Sequence, residues 1–426
     1  MRRGPRLHLI VCVLATSFWS VPNALAQEGW DERVVEIHGF VEAATAGRVT
    51  SDRTQLDRLI LGEVRFRLDL SHYGDRFELV FKGDLTADGV SREMDIDIRQ
   101  AAITLHPTEW LDLRAGRQVL TWGTGDLVFL NDLFPKDFVS FFIGREDEFL
   151  KAPSNALKFS VYAGPIHLEV VWTPIFEPDR FITGERLSFF DPSTSGFVSA
   201  TSMGQPLESF LPPKKFSNGE LAGRIFRTLS GYELSLYGYV GFTKQPLAFD
   251  LAADMATHSG LGVYGASARG TWLGGVANLE GAYYDSADDE GTDSNVPHSQ
   301  FRGLAGYERE LIANLTMGLQ YYLEWTQDYD ELVANSATPQ FEPDEIRHTV
   351  TTRFTYRLRQ ETLMRTLFGF FSPSDEDGHL RPSLTYKRSD AVTLTAGANI
   401  MFGDDVAFSG QLKDNSNAYL RLRYSF

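Results

Sequence analysis

Charged side chains that alternate with apolar ones offer the most chemistry in this chain. Arg65 and Arg67 stand two positions apart between apolar neighbours, and Arg421 and Arg423 repeat that spacing. Because residues two positions apart lie on the same face of a strand, each pair places fixed positive charge on one face. Fixed charges facing water bind ions and orient polar solutes, which is recognition rather than catalysis. The alternative is a salt-bridged wall with a purely structural role.

Sequence motifs of enzymes are missing. The chain has no G-x-S-x-G, no H-E-x-x-H, no P-loop and no G-x-G-x-x-G in a strand-to-helix context. Its histidines are scattered singly, without the spacing of metal ligands. The acidic run 285–293 departs from a calcium-binding loop at Ala287 and Glu290, which favours a solvated loop tip. We therefore predict no catalytic residue, cofactor or metal, although a barrel hydrolase with its dyad on the outer wall stays open.

A long segment without alternation, residues 120–153, combines charge with seven tryptophan and phenylalanine residues. So many aromatic side chains do not lie freely in water. We predict that this segment folds inward against its own protein and narrows the space there. The alternative is a loop packed on the outer surface.

The elements that must position these residues are eighteen segments in which apolar and polar residues alternate. They span 33–47, 57–71, 75–84, 94–105, 110–119, 154–163, 166–174, 219–228, 231–242, 260–270, 273–284, 299–309, 312–325, 345–358, 361–371, 379–387, 391–402 and 416–426. The connections after even-numbered segments are short, whereas those after odd-numbered segments are mostly long, such as 120–153 and 175–218. An even count with alternating short and long connections predicts an all-β fold, a closed antiparallel transmembrane β-barrel. Sixteen strands is the alternative count.

The two faces of such strands meet different solvents. An arginine or lysine facing lipid near the bilayer midplane costs about 2–4 kcal/mol, so the charged face must line the lumen. Because the first and last strands of a closed barrel pair, Arg421 and Arg423 would lie close to Glu36 and Glu42, as an ion-pair lattice or as part of a pore surface. The arginines predicted on the lumen wall are Arg65, Arg67, Arg99, Arg114, Arg224, Arg353, Arg357, Arg421 and Arg423.

The N-terminus has the pattern of a secretory signal peptide. Arg2, Arg3 and Arg6 precede a short apolar stretch, and Ala24-Leu25-Ala26 supplies a small-x-small cleavage site. We predict a cleaved segment 1–26 followed by a single barrel domain, 27–426; a retained anchor is the alternative. Cys12, the only cysteine, would be removed. The formal net charge of −17 argues against nucleic acid as a partner.

The final strand resembles the closing strand of bacterial outer-membrane β-barrels. Leu420, Leu422, Tyr424 and Phe426 alternate with polar residues, and the chain ends on the aromatic ring. In that family the last strand with its final aromatic is the assembly signal. The resemblance implies that Tyr424 and Phe426 are read by the barrel-assembly machinery. It also implies an outer-membrane location among lipid and lipopolysaccharide, with both termini in the periplasm.

The stretch Gly116-Arg117-Gln118-Val119-Leu120-Thr121-Trp122-Gly123 resembles porin-like barrels, including alginate-export-type channels, in which a similar stretch leads from a strand into an inserted loop. In porins the third loop is the constriction. The resemblance therefore implies that the charged residues of 120–153 line the narrowest point of a pore: Asp126, Asp132, Lys136, Asp137, Arg145, Glu146, Asp147, Glu148 and Lys151.

Together these features predict an outer-membrane channel for passive diffusion of small polar or charged solutes. Two alternatives stay open. One is an exporter of hydrophobic or lipid-like substrate that works with a periplasmic partner, and the other is a sealed barrel whose loops carry the function. Whether the chain forms a homotrimer also stays open.

Overall fold

The computed structural model describes residues 35–54, 56–288, 291–359 and 362–426. The predicted signal peptide, 1–26, lies outside the described residues. No helix within the described ranges is both long and apolar enough to cross a membrane.

Eighteen long strands form one sheet, which confirms the predicted count of eighteen rather than sixteen. In chain order they are β1 Glu36–Arg48, β2 Leu59–Tyr73, β3 Phe77–Asp88, β4 Glu93–Thr108, β5 Leu111–Val119, β6 Pro153–Ala163, β7 Ile166–Thr173, β8 Glu220–Leu229, β9 Tyr232–Phe242, β10 Gly260–Trp272, β11 Gly275–Ser286, β12 Gln300–Ile312, β13 Leu315–Thr326, β14 Ile346–Leu358, β15 Leu363–Ser372, β16 Asp377–Lys387, β17 Val392–Phe402 and β18 Asn417–Ser425.

Each strand pairs antiparallel with its neighbour in the chain, and β1 pairs with β18. In that closing pair Val41 lies opposite Tyr424 and Thr45 lies opposite Leu420. The sheet therefore has no free edge, as the predicted closed antiparallel barrel requires.

The alternating sequence forms these strands because each strand separates two environments. On β18, Leu420 and Leu422 have exposed fractions of 47% and 51%, whereas Arg421 between them has 8%. The apolar residues face out and the charged ones face in, where they meet each other and the inner loop. A shift of one residue in register would reverse every side chain, so this pattern also fixes the register.

Tight turns connect the even-numbered strands to the next strand. Between β8 and β9, for example, Ser230 and Gly231 have φ angles of 50° and 83°, the left-handed pair that a two-residue hairpin turn needs. The longer connections at the opposite end hold short helices, α1 Phe138–Ile143, α2 Ala200–Met203 and α3 Tyr329–Asn335. The third predicted strand is longer than expected and reaches Asp88 rather than residue 84.

Candidate functional site

The connection between β5 and β6, residues 120–152 and here called the inner loop, contacts the inward faces of distant strands. The Trp122 indole donates a hydrogen bond to Glu169 on β7 (2.9 Å). The backbone carbonyl of Phe142 accepts bonds from Asn399 on β17 (3.1 Å) and Asn417 on β18 (2.9 Å). The loop therefore lies inside the barrel and crosses from one side of the wall to the other.

Glu280 on β11 holds the beginning of the inner loop. Its carboxylate accepts the backbone N–H groups of Thr124 and of Gly125 (2.8 Å), and the side-chain amide of Asn131 (2.9 Å). Its exposed fraction is 7%. One buried carboxylate thus satisfies three donors of a segment that has no regular structure of its own. The sequence analysis missed Glu280, although it alternates with Leu279 and Tyr283 on the outward face.

Helix α1 places the aromatic part of the inner loop against the wall. Asp137 begins the helix by accepting the backbone N–H of Ser140 (2.8 Å), and Gly144 ends it with φ 92°. The helix packs Phe141 and Phe142 against β-strand residues that include Leu61. Burial of these rings is the physical reason that the loop turns inward.

Ion pairs join carboxylates of the inner loop to wall arginines. Asp126 pairs with Arg353 on β14, with a donor distance of 3.0 Å from Arg353 Nη2. The other pairs are Asp147 with Arg381 on β16 (2.9 Å), Glu146 with Arg423 on β18 (2.8 Å) and Glu148 with Arg67 on β2 (2.8 Å). Loop acids and wall arginines are therefore in direct contact along β14, β16, β18 and β2.

Asp147 sits between two of these arginines. Burial works to raise the pKa of its carboxyl, but the charges of Arg381 and Arg353 outweigh burial and hold the pKa below its ordinary value. The carboxylate is therefore ionised at neutral pH, and it balances one positive charge of the wall.

Other charged residues of the inner loop are tied within the loop or to nearby carboxylates. Lys136 Nζ lies 2.9 Å from Asp132, and these side chains have exposed fractions of 3% and 6%. Asp137, with 2% exposed, caps α1. Arg145 bonds Glu63 on β2, and Lys151 donates to Thr121 (2.7 Å). Because the side chains of Asp132, Lys136 and Asp137 are buried and bonded within the loop, they stabilise the structure of the loop.

Three wall arginines surround one ring of the inner loop. The guanidinium carbons of Arg65, Arg67 and Arg99 lie 4.2, 5.0 and 4.9 Å from the ring centre of Phe149. Arg99 also donates to the backbone carbonyls of Glu148 (3.0 Å) and Lys151 (2.7 Å). Cation–π contacts of this kind are strongest where water is excluded, and Phe149 is only 2% exposed.

Two further predicted wall arginines, Arg224 and Arg114, have partners on the wall. Arg224 bonds Glu233 and Ser235 (3.1 Å), and Arg114 lies 3.5 Å from Gln100. Arg357 shares the face of β14 that carries Arg353.

The predicted neighbourhood of the last strand forms in part. Arg423 pairs with Glu42 (2.8 Å), and Arg421 lies 3.6 Å from Glu146. The expected contact with Glu36 is wrong, because Glu36 lies opposite Ser71 and beyond the last paired residue of β18.

A second loop, residues 174–219 between β7 and β8, contacts the inner loop and stabilises it. Asp179 accepts the backbone N–H of Lys136 (2.7 Å), and Arg180 pairs with Asp137 (3.3 Å) and with Asp97 on β4 (3.0 Å). Burial raises the pKa of Asp179 to about 6, although Lys136 opposes the rise. The sequence analysis noted only the length of this loop and missed both anchors.

A cavity of about 730 Å³ lies on the inner loop at the end of the barrel where the long loops meet. Leu127, Phe129, Phe138 and Phe141 of the inner loop line it, together with the ends of strands β11–β16 and the loops that join them. In the described part of the chain, no group of three or more His, Cys, Asp or Glu side chains is arranged to hold a metal ion.

No protein-family profile matches this chain, and no curated protein sequence matches it. Solved structures do match its fold. Acinetobacter baumannii OccAB1 is 9% identical, with a TM-score of 0.56 over 93% of this chain and 97% of that one. Pseudomonas aeruginosa OccK2 (OpdF), solved in complex with glucuronate, is 11% identical, with a TM-score of 0.56 over 92% and 98%. The chain thus has the closed 18-stranded barrel fold of these outer-membrane porins.

Proposed function

We propose that this protein is an outer-membrane channel for the passive diffusion of small polar or charged solutes, and not an enzyme. The observation that carries the proposal is the charged inner wall, with ionised side chains on strands all around a closed barrel whose outer face is apolar. Charges of both signs keep a lumen hydrated, and water in the lumen is what a polar solute needs in order to cross.

The outer face supports a location in the bacterial outer membrane among lipid and lipopolysaccharide. Residues such as Leu236, Val240 and Leu279 are 59–62% exposed on the outside of the wall, where lipid would cover them. In this arrangement the start of β1 and the end of β18 lie at the end of the tight turns, and we propose that this end, with both termini, faces the periplasm. A signal peptide at 1–26 would direct export, and Tyr424 and Phe426 would serve the assembly machinery.

The inner loop would form the constriction of the channel. Its carboxylates Asp126, Glu146, Asp147 and Glu148 meet wall arginines directly, which fixes the width of the opening by ion pairs instead of leaving loose side chains in the path. Solutes would move down their gradients, with fixed charges balancing entry against release. Glucuronate, which is bound in the OccK2 structure, is one acidic solute to test.

The rival function, export of hydrophobic substrate with a periplasmic partner, has less support. The aromatic rings Phe142 and Phe149 of the inner loop are 1% and 2% exposed, so they pack against the wall and line no apolar path. Ionised residues on the inward face would also repel a lipid tail.

Single-channel recording of the refolded chain 27–426 in a planar bilayer tests the proposal. We expect stable conductance steps, and a reversal potential under a salt gradient would give the preferred charge. Folding is verified separately by the shift in electrophoretic mobility on heating. Folded, inserted barrels that pass no current would overturn the proposal of a diffusion channel and favour the export function.

A further inference from the structure

The cavity on the inner loop has an apolar lining. Eight phenylalanine residues line it, among them Phe138, Phe341, Phe370 and Phe408. Phe370 and Phe408 contact each other with ring centres 5.6 Å apart, and Phe408 is 37% exposed. The cavity of about 730 Å³ therefore has room and a surface for the apolar body of a small solute.

The charges around the cavity do not balance. Seven carboxylates and four lysine or arginine side chains line it, a formal charge of −3. Each of the four cations is paired with a carboxylate: Lys136 with Asp132, Lys244 with Glu220, and both Arg302 and Arg347 with Glu324. Within the described ranges, by contrast, Glu342, Asp344 and Asp404 form no ion pair. The charge left over at the cavity is negative.

Two buried histidines have a ring nitrogen without a hydrogen-bond partner within the described ranges. His298 is 8% exposed, and its Nδ1 lies 3.2 Å from the backbone carbonyl of Gln327. A carbonyl only accepts, so Nδ1 of His298 donates to it, which leaves Nε2 to find another partner. That Nε2 has no partner within the described ranges, and neither has Nε2 of His379, which is 1% exposed. Both histidines line the cavity, so each brings an unpaired, buried ring nitrogen to its wall.

We infer that this cavity binds small organic cations that carry an ammonium group on an aromatic or aliphatic body. Carboxylates and phenylalanine faces both attract an ammonium ion, and the phenylalanine rings cover the apolar body. An anion would find every cation of the cavity already paired. The inference rests on the proposed function, because the cavity would be the mouth through which solutes approach the inner loop.

Calorimetric titration of the detergent-solubilised chain tests the site directly. The probes are 2-phenylethylammonium and, as an anion with the same ring, 3-phenylpropionate. We expect the cation to bind and the anion to bind at least tenfold more weakly, a factor that follows from three partly screened charge contacts. Equal binding of the two probes, or tighter binding of the anion, would overturn the inference.

A triple variant locates the site. E342Q/D344N/D404N should weaken binding of 2-phenylethylammonium by about tenfold, because it removes the unpaired charges of the cavity. The matched control D254N/D330N/E331Q removes the same charge from three exposed residues that do not line the cavity. The control should leave affinity within about twofold of the parent. If the two variants behave alike, the cavity is not the site.

The F408A variant tests whether the apolar body of the solute contacts the cavity, as distinct from attraction of its positive charge. It should weaken the binding of 2-phenylethylammonium by about fivefold and leave the affinity for methylammonium nearly unchanged. Equal effects on both ammonium ions would remove the apolar half of the inference.

Channel recording separates failure of this inference from failure of the proposed function. Conductance steps that 2-phenylethylammonium does not interrupt, together with no calorimetric binding, would overturn the cation site and leave the channel intact. Calorimetric binding by a barrel that passes no current would overturn the proposed channel and leave the cation site intact.

Discussion

At the scale of single residues, the inner loop is positioned by a few buried carboxylates. Glu280 is the clearest case, because it accepts bonds from Thr124, Gly125 and Asn131 of the same loop. A buried N–H group that loses its acceptor costs about 1–3 kcal/mol, and the amide of Asn131 is such a group, while the two backbone N–H groups are partly buried.

Glu280→Ala should therefore release the start of the inner loop, with a loss of about 1–3 kcal/mol in the free energy of loop docking. We expect larger open-channel current noise and faster protease cleavage within 120–152. Glu308→Ala is the control, because Glu308 is an exposed carboxylate at the other end of a barrel strand. Equal noise in both variants would contradict an anchoring role for Glu280.

Asp147 offers a test of charge balance at the proposed constriction. Asp147→Asn leaves Arg381 and Arg353 without the carboxylate between them, so the channel gains one positive charge at that point. We expect the ratio of anion to cation permeability to rise about twofold, as read from the reversal potential in a salt gradient. Asp330→Asn, which changes an exposed residue of α3, should leave the ratio unchanged. A shift toward cations would count against the proposed constriction.

At the scale of elements, two loops hold each other inside the barrel. The second loop, 174–219, contributes Asp179 and Arg180, which bind the backbone of Lys136 and the side chain of Asp137. Residue Lys244 of a third loop accepts the backbone N–H of Asp179 at its carbonyl (2.9 Å). The inner loop is thus held both by the barrel wall and by the second loop.

Contact between these two loops should weaken as pH rises. The pKa of Asp179 is about 6 in the folded protein, above the ordinary value of 3.8, so the docked loops take up a proton in that interval. Proton uptake favours docking of the two loops. The contribution of Asp179 to the free energy of docking is therefore fully present below about pH 4. Up to about 3 kcal/mol of it is lost as the pH rises through 6. The cause is the cost of burying an ionised carboxylate.

Hydrogen exchange in 174–219 at pH 5 and pH 7.5 measures this effect. The ratio of exchange rates between Asp179→Asn and the parent chain removes the intrinsic effect of pH on exchange. We expect the parent to lose protection relative to Asp179→Asn as pH rises. A ratio that does not change with pH would show that Asp179 is not the group responsible.

At the scale of the whole molecule, closure depends on β1 and β18. Phe426 exchanges backbone hydrogen bonds with Gly39 (3.0 Å each way), and its ring stacks on Phe66 with centres 6.2 Å apart. Its ring is 49% exposed on the outer face, so it is accessible to another protein before insertion.

Phe426→Ala should lower the amount of barrel in the outer membrane of cells several-fold if the assembly machinery reads this ring. Refolding in detergent should change little, because most of β18 is unaffected. Phe402→Ala removes a similarly exposed outward ring at the end of β17 and serves as control. A loss that is equal for both variants, or equal in cells and in detergent, would point to stability instead of recognition.

The sequence by itself determined the wall of this protein. The number of strands, their approximate bounds, the face that each residue presents and the alternation of short and long connections all follow from a period of two along the chain. That period is local, because each strand separates two environments over its whole length, and a residue on the wrong side is costly.

Only the tertiary structure decided what the interior does. Asp126 and Arg353 stand 227 positions apart, and closure of the barrel alone brings them together. Burial also divided the charged residues of the inner loop: Asp132 and Lys136 neutralise each other within it, while Asp147 reaches the wall. Charge at a sequence position says nothing of its partner, because partners in the lumen come from strands far apart in the chain. Alternation places Glu280 on the inward face but does not mark it as an anchor, and Asp179 lies in a loop without a periodic pattern.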